Sequence, residues 1–230
     1  MRYYKSPKDT DLNELEADID RLCSIVDEIN EVRVLGGEPL INKNFHLVVK
    51  KLINEPKIRK IIIYTNGTII PSDEQLEILK NDKVLFIITD YDKLSGNLDN
   101  LTNKLSENSI SFYVQEVGHW TDCSKILKHK RSDDDNKNLF NNCCAKNILT
   151  LSNGKLFRCP YSANADRLHA VSFKDDSIDI YNDDDIKNKI RDYILDKDFL
   201  KTCDYCNGRL FGDKEIEPAI QQLEVMEIKL

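Results

Sequence analysis

The chain has 230 residues, with 33 Lys and Arg against 40 Asp and Glu, a formal net charge of -7 and 40% hydrophobic residues. A chain of this length buries roughly 70% of its unfolded surface, so it has a core of its own and reads as one domain, or one domain with a smaller appendage. The acidic balance excludes a phosphate-gripping nucleic-acid surface, no apolar run nears the ~18 residues of a membrane span, and "MRYYKSPKDTDL" lacks the apolar stretch of a signal peptide. The expectation is a cytoplasmic protein with neither nucleic acid nor membrane as partner.

Leu12, Leu15, Ile19, Leu22, Val26 and Ile29 fall in steps of three and four, which predicts an amphipathic helix over 11–30. A short strand over Val32–Leu35 follows, closed by Gly36-Gly37, and then a helical stripe of Phe45, Val48, Val49 and Leu52. "KIIIYTNG" (60–67) is a buried strand, because four consecutive positions are apolar or aromatic. Ser72 and Gln75 make a capping-box pattern that opens a helix running to about Lys80. "VLFIITD" (84–90) predicts a third strand, 98–108 a helix and "SFYVQEV" (111–117) a fourth strand.

Strand runs too apolar to be half-exposed, alternating with helices, predict an α/β fold with a partial (βα) barrel-like parallel sheet. Such sheets bind ligands at the carboxyl ends of their strands. "GGEP", "YTNGT", "ITDYD" and "QEVGHW" are therefore expected on one rim, with Asp90, Gln115, Glu116, His119 and Trp120 as its weaker candidates.

Beyond Trp120 the pattern changes. Residues 121–142 are polar and are expected to be a linker or surface loop, with the basic "KHKR" (128–131) solvated beside "DDD" (133–135). "ILTLSNGKLFRC" (148–159) predicts a β-hairpin turning at Asn153-Gly154. A helix around 183–198 leads to "CDYC" and a polar tail. The expected organisation is a βα domain over 1–120, a linker over 121–142, and a small β-hairpin, cysteine-rich, metal-binding appendage over 143–230.

Seven cysteines are the unusual count: Cys23, Cys123, Cys143, Cys144, Cys159, Cys203 and Cys206. An odd number in a chain of this kind suits a metal site better than a disulfide framework. Cys144 and Cys159 bracket the hairpin, and Cys203 and Cys206 form a CxxC. Those four suit tetrahedral zinc or an iron–sulfur cluster, with Arg158 placed to offset thiolate charge. A redox dithiol is the third reading, although such a pair belongs just before a helix and this one follows a helix. Cys143 is a spare or alternative ligand, Cys23 a small core residue, and Cys123 has no assigned role.

The stretch "RVLGGEPL" (33–40) ends its strand with two glycines, an acid and a proline. Alone, it is either a strand-to-helix turn or a corner where glycine backbone approaches a ligand and a carboxylate answers an ammonium. With Cys144-x9-Gly154-x4-Cys159 and the CxxC downstream, it resembles the radical S-adenosylmethionine (radical SAM) enzymes that carry a SPASM/twitch-type auxiliary cluster domain. The resemblance implies S-adenosylmethionine (AdoMet) at Gly36, Gly37, Glu38 and Pro39, with Thr65 and Asn66 beside it. It implies an auxiliary [4Fe–4S] cluster on Cys144, Cys159, Cys203 and Cys206, zinc being the alternative metal.

In a complete enzyme it also implies reductive cleavage of AdoMet to a 5′-deoxyadenosyl radical, with an electron donor such as a flavodoxin or ferredoxin. The substrate is open among peptide, carbohydrate and small metabolite. The family holds its catalytic cluster on a CxxxCxxC loop after the first barrel strand, and no CxxxCxxC occurs here. The chain is therefore expected to be an N-terminally truncated radical SAM protein, inactive as it stands. The alternative is a degenerate relative that keeps a single Fe–S or zinc site for structure or partner binding.

Overall fold

A computed structural model describes residues 10–123, 125–182, 185–209, 215–219, 224 and 228. The chain divides into two compact units, one over Asp9–Gly118 and one from His119 onward. No helix among the described residues is long and apolar enough to cross a membrane.

The first unit is an α/β layer. Strands β1 (Ile29–Val34), β2 (Ile58–Thr65), β3 (Val84–Asp90) and β4 (Ser111–Glu116) form a parallel sheet in the order 1-2-3-4. Ile63 lies opposite Phe86, and Phe86 opposite Phe112. Helices α1 (Leu12–Ile25), α2 (Phe45–Asn54), α3 (Asp73–Leu79) and α4 (Leu98–Glu107) alternate with the strands. Ile61, Ile63, Phe86 and Ile88 project from alternate strand positions, as the two-residue repeat of a strand requires. They pack against Val49 and Leu52 of α2, Leu76 and Leu79 of α3, and Leu101 and Leu105 of α4 in one buried cluster. Cys23 is part of that core, as expected.

Helix ends follow local chemistry. Asp11 caps α1 by accepting from the Asn13 and Glu14 amides at 2.9 and 3.1 Å. The Ser72–Gln75 capping box is formed at the start of α3. The first helix ends at Ile25 rather than near residue 30, and β1 starts at Ile29. The reason is tertiary. Lys57 Nζ donates to the carbonyls of Cys23 and Val26 at 2.7 and 2.6 Å, and the Ile29 amide pairs with Lys57 O at 2.8 Å. Ile29 thus leaves the helical stripe and joins the sheet.

The second unit is built from short pieces. β5 (Trp120–Thr121) pairs antiparallel with β9 (Glu215–Ile216). The expected hairpin is β6 (Thr150–Ser152) and β7 (Lys155–Phe157). Its turn residues Asn153 and Gly154 have φ of 50° and 70°, the sign a two-residue hairpin turn needs. A third strand, β8 (Ser177–Asp179), adds to β7, so the hairpin is part of a three-stranded sheet. Helices α6 (Pro160–Arg167) and α7 (Ile186–Asp196) complete this part. The latter lies inside the span expected to be helical, whose residues 183–184 fall outside the described set, as do 210–214 and 220–223 of the tail.

Residues 121–142 differ from the expected loop, because α5 spans Asp133–Asn142. A capping box of Ser132 and Asp135 starts it, three acids occupy its first turn, and only Asn136 and Phe140 are buried. A helix held by its cap and one buried aromatic shows no apolar stripe to read.

Phe86→Ala should lower stability by about 3–5 kcal/mol, since a wholly buried ring leaves a cavity between sheet and helices. Tyr113→Ala, on a residue 60% exposed, should change it by less than about 0.5 kcal/mol. Urea denaturation followed by circular dichroism separates the two.

Candidate functional site

The parallel order brings the carboxyl ends of β1 to β4 to one rim of the first unit. After Val34 the chain crosses this rim through Gly36-Gly37 to Glu38, which caps a single 3-10 turn over Pro39–Ile41. The Leu40 amide and Thr65 Oγ1 donate to Glu38 Oε1 at 3.1 and 2.9 Å, and the Asn66 amide donates to Oε2 at 2.8 Å. The carboxylate thus joins the ends of β1 and β2. Ser95 Oγ donates to Asn66 O at 2.6 Å and accepts from the Tyr91 amide at 2.9 Å, which adds the end of β3. Asn97 Nδ2 donates to Thr68 O at 2.6 Å. Gly67 has a φ of 71°, and a Cβ there would stand 3.3 Å from Ile88 Cγ2, so both backbone and packing select glycine.

Gly36, Gly37, Glu38, Pro39, Thr65 and Asn66 therefore come together as the sequence suggested. No atom lies within 4 Å of where a Gly37 Cβ would sit, so bare backbone faces open space there. Burial first, and the charge of Glu38 second, push the Tyr91 phenol above its ordinary range. The weaker candidates separate. Asp90 Oδ1 is engaged by the Asp92 amide at 2.8 Å, and Gln115 Nε2 donates to Thr89 Oγ1 at 3.1 Å. Glu116 closes β4 exposed. His119 and Trp120 belong to the second unit, where His119 pairs with Glu215 at 2.8 Å and Trp120 lies in β5. Ser95 and Asn97 were not legible beforehand, since nothing local marks a serine that will be 4% exposed.

The second unit contains a cavity lined by Cys143, Cys159, Cys203 and Cys206, with Phe140 and Arg158 in its wall. Two of the sulfurs accept from backbone amides: the Ala145 amide donates to Cys143 Sγ at 3.4 Å and the Gly208 amide to Cys206 Sγ at 3.3 Å. Cys206 Sγ also lies 3.4 Å from Cys123 O, to which it donates, and Cys159 stands at the N-cap of α6 with no side-chain cap bond. Cys144 is exposed and lines no part of this cavity, so its neighbour Cys143 takes the place the sequence reading gave it.

Burial pushes the Cys203 and Cys206 thiols up to about 12 and raises Cys143 and Cys159 as well, with the amides acting against it. A coordinating metal reverses that balance, because it deprotonates the thiols it binds. Arg158 is 8% exposed; its guanidinium donates to the carbonyls of Lys146, Lys197 and Tyr193 at 3.0, 3.2 and 3.4 Å and lies 5.1 Å from the Phe140 ring centre. Among the described residues no carboxylate forms an ion pair with it. Among the described residues, too, no three His, Cys, Asp or Glu side chains close on a point as a single ion requires.

Comparison with known protein families matches residues 2–148 to the radical SAM superfamily. The chain belongs to the radical SAM superfamily. GTP 3',8-cyclase from Synechocystis sp. is 37% identical to this radical SAM chain over 68 residues, a stretch that is 30% of this chain and 20% of that relative. The chain thus matches about a fifth of the length of that curated relative. A crystal structure of BtrN in complex with AdoMet and 2-DOIA superposes with a TM-score of 0.48 at 18% identity, covering 89% of this chain and 82% of that one.

Membership implies a [4Fe–4S] cluster and AdoMet, and the two fit this radical SAM chain differently. The open backbone at Gly37 and a carboxylate with three of its roughly four acceptor positions filled suit the ammonium end of AdoMet. The AdoMet-binding cluster does not fit. Cys23 is the only cysteine between Asp9 and Gly118, and it is buried on the core face of α1.

Glu38→Ala strands the Asn66 amide and the Thr65 hydroxyl and should cost about 1–3 kcal/mol. Hydrogen–deuterium exchange should show the Leu40 and Asn66 amides losing protection, with the helix-interior amides of α2 unchanged. Equal protection in mutant and parent would deny Glu38 its place in the network.

Proposed function

We propose that this chain is the greater part of a radical SAM protein that, in its complete form, cleaves AdoMet reductively to a 5′-deoxyadenosyl radical and uses it on a substrate. The rim at Gly36, Gly37, Glu38, Pro39, Thr65 and Asn66 receives AdoMet. The unit from His119 onward holds an auxiliary [4Fe–4S] cluster of the SPASM/twitch type on Cys143, Cys159, Cys203 and Cys206. When bound, such a cluster supplies an electron acceptor or a ligation point for substrate.

The observation that carries the auxiliary site is the shared cavity, which the part-buried Cys143, Cys159, Cys203 and Cys206 line together with Arg158, a buried guanidinium with no carboxylate partner among the described residues. The Arg209 charge favours the thiolate form of Cys143 and Cys159, while Arg158 braces the cavity wall through the carbonyls of Lys146, Tyr193 and Lys197. Among the described residues no three side chains close on one point, as the Zn–S bonds of about 2.3 Å in a zinc site require. Arg158, Phe140 and the amides are this chain's own contribution: they exclude water, orient the sulfurs and hold the thiolate form.

A second reading has its own support. The absence of any CxxxCxxC within the 230 residues favours a degenerate relative whose single Fe–S or zinc site serves structure or partner binding. An in-frame CxxxCxxC upstream in the coding sequence would decide for the first reading, and its absence there for the second.

The ligand set is tested by anaerobic reconstitution of the full chain with ferrous iron and sulfide, followed by absorption spectra and iron and zinc analysis. Cys143→Ala, Cys159→Ala, Cys203→Ala and Cys206→Ala should each lose the bound metal and become more protease-sensitive from His119 onward, since metal binding there is folding free energy. Cys144→Ala should keep both metal and resistance. Loss in Cys144→Ala with retention in Cys143→Ala would return the ligand to Cys144.

A further inference from the structure

In the basic stretch 128–131 Lys128 and Lys130 are exposed, as a solvated loop requires, but the backbone and Arg131 run along the CxxC turn. The Leu127 amide donates to Tyr205 O at 3.1 Å and the His129 amide to Asp204 O at 2.8 Å, so residues 127–129 run along the CxxC turn. The Arg131 amide donates to Asp204 Oδ1 at 2.6 Å. One guanidinium nitrogen of Arg131, Nη1, then donates to both Cys203 O and Cys206 O, at 3.1 and 3.0 Å. The same nitrogen bridges the first and last residues of the CxxC. Together with Tyr161 Oη, which donates to Tyr205 O at 2.5 Å, these contacts give every carbonyl from Cys203 to Cys206 a partner.

A strap of this form does two things. It holds the turn in the one conformation that presents both thiols to the cavity, and it puts a permanent positive charge on the backbone of both cysteines. Guanidinium keeps its charge at every accessible pH and spreads it over a rigid fork. Outer contacts of this kind orient metal ligands and tune the metal, and net charge near a cluster shifts its reduction potential.

We propose that Arg131 is a positioning residue of the four-cysteine site, which straps the Cys203–Cys206 turn and sets both how firmly the metal group is held and how readily it is reduced. The inference rests on the reading that Cys143, Cys159, Cys203 and Cys206 bind a metal group.

The experiment uses the full chain, reconstituted anaerobically with iron and sulfide, as parent, Arg131→Met, Arg131→Lys and Cys203→Ala. Iron release to a chelator and the midpoint potential are measured for each. Arg131→Met should release iron about tenfold faster or more and should be harder to reduce than the parent. Arg131→Lys keeps the charge without the fork, so its potential should stay near the parent's while its release rate falls between the two.

Cys203→Ala should hold no thiol-bound iron. Release rates and potentials in both Arg131 variants equal to the parent's, with Cys203→Ala empty, would overturn the role of Arg131 and leave the metal site standing. A potential unchanged in Arg131→Met, however fast its release, would likewise overturn the proposal, since a purely structural strap would not tune the site. Iron retained in Cys203→Ala would overturn the metal site and this inference together.

Discussion

Four part-buried cysteines and one buried guanidinium line a single cavity, and the unit from His119 onward is arranged around satisfying them. A buried cation or thiolate without partners is expensive. The chain meets that cost with backbone: amides of residues 145 and 208 turn toward sulfur, and carbonyls of residues 146, 193 and 197 turn toward Arg158. Short elements follow from this. A backbone that must aim so many amides and carbonyls inward cannot run in long uninterrupted helices and strands, where the same groups bond to one another.

The Asp9–Gly118 unit answers a different constraint. Its stability comes from burying Ile, Leu, Val and Phe between a parallel sheet and the helices that alternate with its strands, a non-directional force that scales with area. The rim carries a polar network of its own. There Glu38 ties Leu40, Thr65 and Asn66, and Ser95 extends the network to the end of β3. The carboxylate that a sequence motif offers to a ligand is thus first a structural post, which keeps the Gly36-Gly37 backbone open while holding the neighbouring loop.

The contrast between the units bears on function. A preorganised rim needs little from a ligand to keep its shape, whereas a unit built from short elements gains from a metal staple. Gly208 shows how closely the thiol site is fitted. Its φ is 89°, and a Cβ at this position would stand 2.5 Å from Leu139 Cδ1 of α5. The helix that composition hides is therefore packed directly against the residue whose amide meets Cys206.

The sequence by itself determined the α/β alternation, the four parallel strands, the hairpin at Asn153-Gly154 and the meeting of Gly36, Gly37, Glu38, Thr65 and Asn66 at one rim. The elements are repeat and turn signals, set by residues within a few positions of one another, and the rim follows from them because parallel strands bring their carboxyl ends to one side. Tertiary structure decided what depends on distant partners. It chose Cys143 over Cys144, because adjacent residues look alike in spacing and only the direction of the backbone after α5 sends one sulfur inward and the other to solvent. It took Arg131 out of the solvated "KHKR" run and set it against the CxxC turn, because its two acceptors lie more than 70 residues away, while Lys128 and Lys130 stay exposed. It ended the first helix at Ile25, because Lys57 claims the carbonyls there. Local pattern records what each residue prefers, and a long-range contact is a property of the pair, which neither member carries alone.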